Sequence, residues 1–403
     1  MIIMTHMWLL WHGERRTDMD INFHYFAVKT IATYAGFAPA DAQIIAAYSQ
    51  FIDDFTMMNN IYFYYGVPDY AKHLVRKGKV YDEFVTITTG FASYIEMARL
   101  AIWKYQRQIC VPFHFIPKEP IPQSLTEKDD TSKYCTHAAI YNGNLLVNNL
   151  LRNAAVKYSD SLSRGERERK NALMRIGMVM HIFADTYAHD CFSGFWGWEN
   201  YSYLDSATRV TDRSDITGNY SRDTVATLPS IGHTNVSHAP DDTFAYIKIR
   251  VAKNASEKSK DQYSLTRSRS NLQWFCDAAK EIYKYLCVLT EKPTEEIDRD
   301  WPELHSRLVK GFELEGVKIG YLTEGWSMIA PGIVYSYNKD DYGNNLLHGG
   351  FGEENADISE EAQTEEEMQM IPGISFYKYA DDDFFYYNII AKEIRDMVIG
   401  DEL

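Results

Sequence analysis

Cysteine is scarce in this chain and spaced without pattern. Cys110, Cys135, Cys191, Cys276 and Cys287 are odd in number, and no two form a CxxC pair. That argues against a disulfide framework or a thiolate zinc site and fits a reducing compartment. Long apolar runs are missing too. The opening stretch MIIMTHMWLLWHGERR falls far short of the roughly 20 residues that span a bilayer. It also lacks the basic leader and small-residue cleavage site of a signal peptide. The expectation is a cytoplasmic protein with no transmembrane segment, in which residues 1–18 are a disordered extension. Positive charge is the third shortage: 41 Lys and Arg against 56 Asp and Glu leave a formal charge of −15. Such a surface repels polyanions, which disfavours double-stranded nucleic acid and anionic membranes as partners.

Apolar and aromatic residues, by contrast, are plentiful. Hydrophobic residues make up 45 % of the chain, with 29 Tyr and 20 Phe, enough for a large core. Helical periodicity dominates. Phe23, Phe26 with Ala27, Ile31 and Tyr34 recur every three or four residues up to Gly36, and a second helix runs from Pro39 through Ile45 and Phe51 to Asp53 and Asp54. Further helices are expected over 88–108, 136–158, 164–190, 241–257, 264–290, 296–313 and 376–399. Ser163 and Glu166 supply a capping box for the helix over 164–190. VPFHFIPKEPIP reads as an extended, proline-rich break, and 191–240 as a long irregular loop. The predicted class is all-α, a multi-helix bundle with long loops. Residues 19–320 form its helical metal-binding domain. A mixed C-terminal region, 321–403, packs on that domain, and its acidic run 353–367 is a solvated loop.

The strongest chemical signal is ALMRIGMVMHIFADTYAHDCFSGFWG. His181, Asp185 and His189 stand at i, i+4 and i+8 in an otherwise apolar helix, so they share one face. Buried there, an unpaired carboxylate costs several kcal/mol. The plain alternative is a core hydrogen-bond network. Three polar groups in strict register instead favour metal ligation, as paired histidines ligate in HExxH helices. At about 1.5 Å per residue, His181 and His189 lie about 12 Å apart along the axis, too far to share one ion. The spacing therefore predicts more than one ion, with Asp185 able to bridge. Weaker candidates elsewhere are His24, Asp53, Asp54, His114, and the loop residues His233, His238 and Asp241.

In order, His24, Asp53/Asp54, His114, HxxxD at 181–185, His189 and His233 resemble the ligand order of the bacterial zinc-dependent phospholipases C and single-strand-specific nucleases, all-α enzymes with a trinuclear zinc site. The segments FHY, SQFIDD, FHFIP, HIFADTYAHDCFSG and GHTNVSHAPD also resemble an uncharacterised bacterial family over about residues 19–245. The resemblance implies two or three zinc ions, other divalent metals being alternatives. One would take Asp53 or Asp54, His114, His181 and Asp185; a second would share Asp185 with His24; a third would take His189, His233 and a further ligand. The phospholipases place a glutamate four residues after the last histidine, where this chain has Ser237. His238 is the first replacement and Asp241 the competing one. Asp20, four before His24, stands in for the N-terminal ligand.

The implied activity is hydrolysis of a small or lipid phosphodiester, with Asp53 or Asp54 orienting or deprotonating the attacking water. Two other classes compete. Structural metals in a non-catalytic binding or assembly module would suit the departures at Ser237 and the N-terminus. An HD-type phosphohydrolase would use His189-Asp190.

Overall fold

A computed structural model of the chain describes residues 21–57, 60–77, 82–90, 101–139, 144–211, 213–215, 217, 230–314, 319–350 and 374–399. Helix α1 begins as a π-helical stretch, Asn22–Ala27, and continues as Val28–Tyr34. Helix α2, Pro39–Asp54, carries proline in its first turn, where the missing N–H has no partner to lose. Strands β1 (Asn60–Phe63), β2 (Val75–Lys77) and β3 (Asp82–Phe84) follow. Helix α3, Trp103–Tyr105, passes into a second π-helical stretch, Gln106–His114. Two long helices, α4 (Leu145–Ser161) and α5 (Glu166–Ala188), lead to strands β4 (Ser202–Arg209), β5 (Phe244–Val251) and β6 (Leu265–Arg269). Helices α6 (Asn271–Leu289), α7 (Thr294–Phe312) and α8 (Ile319–Ile329) come next. Strands β7 (Leu347–His348), β8 (Ile374–Tyr377) and β9 (Tyr379–Ala380) precede the closing helix α9 (Asp382–Ile399).

These strands overturn the all-α expectation: the class is mixed α/β, with three sheets among the described residues. One runs β2-β3-β1-β8, and its parallel β1–β8 pair sets Asn60 to Phe63 against Ile374 to Tyr377. The antiparallel sheet β4-β5-β6 occupies ground expected to be loop and helix. In β5, Ile247, Ile249 and Val251 are buried and alternate with Lys248 and Arg250, a period of two that a strand satisfies and a helix does not. Strand β6 likewise takes the start of the expected 264–290 helix. The helix begins only at Asn271, where the Ser270 hydroxyl accepts from the backbone of Gln273.

Other local expectations shift as well. The start of the expected extended break, residues 111–114, instead belongs to a π-helical stretch, Gln106–His114, with Pro112 inside. Ser163 and Glu166 form no capping box: Gly165 precedes α5 without a side-chain cap, and the Ser163 hydroxyl turns back to the Asp160 carbonyl. Residues 1–18, Asp20 and the acidic run 353–367 lie outside the described residues.

Helix α5 runs through the interior, with every residue from Ala172 to Ala188 buried. It packs on α2, and Gly177 makes the close approach possible. A Cβ there would sit 2.3 Å from the Ile45 carbonyl oxygen and 3.1 Å from the Ser49 nitrogen, both backbone atoms. One turn beyond Gly177 lies His181, and two turns beyond Ile45 lies Asp53, so this contact sets the two side by side. The C-terminal region closes over the same core. Trp326 is fully buried and donates its indole N–H to Asn22 Oδ1 (2.7 Å), and Asn388 accepts from the backbone of Ile87 (2.7 Å). Among the described residues, no helix is long and apolar enough to cross a membrane.

Candidate metal centre

Four segments converge on the face of α5 that carries His181, Asp185 and His189. His24 and His114 arrive on the two π-helical stretches, a rare geometry that recurs at functional sites. Asp53 comes from the last turn of α2, and His233 and Asp241 from the loop before β5. His181, Asp185, His24 and His189 are all buried.

Asp185 is the hub. Its Oδ1 lies 3.2 Å from His24 Nε2. Its Oδ2 lies 3.3 Å from both His114 Nδ1 and His181 Nε2. Those two nitrogens are 3.4 Å apart, and Asp53 Oδ1 stands 3.6 Å from His181 Nε2 and 3.7 Å from His114 Nδ1. Donors held about 2.0–2.1 Å from a tetrahedral zinc-sized ion stand about 3.3–3.4 Å from one another. The spacings among Asp185, His114 and His181 match that, and those to Asp53 are slightly longer. The His24 and His181 rings stack at 3.9 Å, which brings His24, His181 and Asp185 into a second group of possible donors.

A third group lies at the end of α5. Asp241 Oδ1 is 3.2 Å from His189 Nε2, and its Oδ2 is 3.3 Å from His233 Nε2. His238 is half-exposed, and its Nδ1 reaches only 4.0 Å from Asp241. Phe115 lies flat against His189, ring centroids 4.4 Å apart. Gly232, at φ 54°, leaves room for it, since a Cβ there would meet the Phe115 ring at 2.2 Å.

The histidine tautomers carry the chemical argument. His114 Nε2 lies 2.7 Å from the Thr89 carbonyl, His189 Nδ1 2.6 Å from the His114 carbonyl, and His233 Nδ1 2.6 Å from the Ser237 carbonyl. A carbonyl only accepts, so each of these nitrogens is the N–H donor. The opposite nitrogen is then left with a lone pair unless the ring is protonated, and in all three residues it faces a carboxylate oxygen. Lone pair against lone pair is repulsive without a cation between them. This outer hydrogen bond to a carbonyl is also how metal-ligating histidines are commonly oriented.

The electrostatics agree. Burial pushes His181 down to about 3 and His233 down to about 4, so both are neutral at pH 7. Burial opposes charge on the carboxylates too. The imidazoles of His181 and His189 nevertheless hold Asp185 well below its ordinary range, and His233 and His189 bring Asp241 down to about 2. His189 differs: burial disfavours its charge, but Asp185 and Asp241 overcome this and raise it to about 9. Without metal, a proton therefore sits on His189, and an ion must displace it.

A pH prediction follows. Between about pH 7, where His181 and His233 hold little proton in either state, and about 9, the folded metal-free protein binds more protons than the unfolded chain through His189. Its stability therefore falls as pH rises through that window. Metal binding strengthens over the same window by up to about tenfold per pH unit, because less proton must be displaced. Thermal melts of chelator-treated and zinc-loaded protein from pH 7 to 9 should diverge, the first falling and the second holding.

The structure separates candidates that the sequence left together. Asp53 faces the cluster, whereas Asp54 accepts from Tyr337 Oη at 2.7 Å. Asp241, rather than His238, joins His189 and His233. Asp190 pairs with His137 and Cys191 and is grouped with them rather than with His189. Phe192 and Phe195 are buried packing residues, while Trp196 is exposed.

Sequence reasoning missed two further groups. Arg269 donates to the Tyr187 and Ala188 carbonyls at the end of α5, both at 2.8 Å, and to the Pro240 carbonyl at 3.3 Å. Asn271 holds the carbonyls of Ala239 and Asp242 at 2.8 and 2.6 Å. Together they clamp the Asp241 loop to the end of the His189 helix. No motif marks them; only their place at the end of β6 and the start of α6 does.

A family model described as a family of unknown function (DUF6765) matches residues 19–401, and the chain belongs to that family. No curated protein and no solved structure matches it.

Proposed function

We propose that this member of the family is a zinc-dependent phosphoesterase acting on a small or lipid phosphodiester. The observation that carries the reading is the division of labour at Asp185. One oxygen faces His24 and the other faces His114 and His181, as a carboxylate bridging two ions would. Support also comes from the third group, where His189, His233 and Asp241 offer three donors. Catalytic zinc typically has three protein ligands and an open position, whereas structural zinc is closed by four.

Bound zinc would polarise a phosphoryl group and lower the pKa of a water towards about 7. The chain's own residues do the rest. Asp53, partly exposed at the rim, can orient the attacking water or accept its proton. His189 and His233 keep Asp241 ionised, and Tyr337 holds Asp54 away from the cluster.

The zinc-loaded protein should hydrolyse at least one of three probes: a generic chromogenic phosphodiester, phosphatidylcholine, or single-stranded nucleic acid. Loss of activity with chelator and its return with zinc are expected. No turnover of any probe by fully loaded protein would end the reading. A second reading, structural metals in a binding module, is favoured by the group Asp53, His114 and His181, to which Asp185, 3.3 Å from both histidines, could add a fourth ligand that closes the site. It predicts full metal content with no hydrolysis.

Asp241→Ala should lose one metal equivalent, while His238→Ala should keep all of them and change activity less than about threefold. Elemental mass spectrometry and the phosphodiester assay check both. Equal losses in the two variants would place His238 among the ligands after all.

A further inference from the structure

The side of α5's end that faces away from the cluster carries another set of donors. His137 Nδ1 lies 3.6 Å from Asp190 Oδ1, and Cys191 Sγ lies 3.2 Å from Asp190 Oδ2. One donor atom from each residue falls within 4.8 Å of the other two. We propose that His137, Asp190 and Cys191 hold a thiophilic divalent cation of the zinc class, separate from the main centre and independent of its function.

The frame is built by the backbone. Thr136 N donates to the Phe192 carbonyl (2.7 Å) and Cys191 N donates to the Thr136 carbonyl (2.8 Å), so the two segments are locked face to face. Ala138 N donates to Asp190 Oδ1 (3.2 Å) and fixes the carboxylate. Cys191 sits at φ 78°, a left-handed conformation uncommon for a residue with a side chain. That backbone holds its thiol against the carboxylate of the residue before it.

An ion with bonds of about 2.0–2.1 Å to nitrogen or oxygen and about 2.3 Å to sulfur puts such donors about 3.3–3.6 Å apart; here the imidazole lies 3.6 Å from one Asp190 oxygen and the thiol 3.2 Å from the other, within the reach of a small shift onto one ion. Sulfur selects for zinc, cobalt or cadmium over magnesium or calcium. On binding, the Sγ–H bond breaks, its proton passes to water, and a sulfur–metal bond forms. The thiolate and the Asp190 carboxylate then balance the 2+ charge, with His137 neutral. A cavity of about 310 Å³, lined by Asp190, Cys191, Arg269 and Trp274 among others, reaches the thiol. It offers an entry route and room for a water as fourth ligand.

Cobalt separates this site from the main centre, whose donors are all nitrogen and oxygen. Only a thiolate ligand adds an intense near-ultraviolet charge-transfer band to the weak visible absorption of cobalt(II). Cobalt-saturated full-length protein should show that band. Cys191→Ser should abolish it, His137→Ala should weaken it, and Cys135→Ser should leave it unchanged. The visible absorption of the main centre should persist in all three variants. In parallel, zinc should slow alkylation of Cys191 by at least about tenfold, read by peptide mass, with chelator reversing it. Absence of the band in saturated wild-type protein would overturn the site. So would a band that survives Cys191→Ser, or alkylation indifferent to zinc. Failure of the phosphoesterase reading would leave each of these readouts unchanged.

Discussion

Asp185→Ala should leave no more than one equivalent of tightly bound metal in the main centre, the one held by His189, His233 and Asp241. Asp185 reaches the donors of both neighbouring groups, at 3.2 Å to His24 and 3.3 Å to His114 and His181. Removing a partner that merely orients a ligand costs about 10–100-fold in metal affinity, and removing the shared ligand itself should cost more. Asp185→Asn keeps the shape and loses the charge, so it should behave nearly as badly. Elemental mass spectrometry beside circular dichroism separates metal loss from unfolding. If both variants stay folded and keep wild-type metal content, Asp185 is no ligand.

Gly177→Val should be among the most destabilising single changes in the molecule, by about 3 kcal/mol, the upper end of the usual overpacking cost. The added carbon would meet Ile45 O at 2.3 Å, and neither helix backbone can give way as a side chain would. Any separation of α2 from α5 also carries Asp53 off His181, so metal content should fall with stability. Gly320→Ala is the control. Gly320 lies in α8 with nothing within 4 Å of the added carbon, and alanine should be neutral or stabilising there. Denaturant midpoints of the two variants test the contrast directly. A Gly177→Val protein as stable as wild type would mean that the α2–α5 contact is not what holds the centre together.

The part of this site that was legible in the sequence was the part carried by one regular element. His181, Asp185 and His189 share a face because an α-helix repeats every 3.6 residues, and α5 spans Glu166–Ala188 where 164–190 was expected. Long helices of this kind announce themselves by periodicity. The choice between Asp53 and Asp54 was not legible. Adjacent residues at a helix end point about 100° apart, and which one faces inward depends on Tyr337, nearly three hundred residues away. The choice of Asp241 over His238 depends on a loop whose path is fixed by Arg269 and Asn271, and no local pattern contains them. The strands were a different failure. The alternation Ile247, Lys248, Ile249, Arg250, Val251 was present in the sequence, and reading it as helix missed a signal that was available. The parallel pairing of β1 with β8, by contrast, is a long-range contact that neither segment encodes alone.

The central claim is that a group of buried lone pairs turned toward carboxylates is a metal centre. Metal content of untagged protein, purified without chelator and measured by elemental mass spectrometry, tests it most directly. Two or three equivalents of zinc in the main centre are predicted, with one more at Cys191 that Cys191→Ser removes. A folded, stable protein that carries no metal and takes up none from a zinc solution would contradict the account. The face of α5 would then be a hydrogen-bond network that holds its protons on histidine.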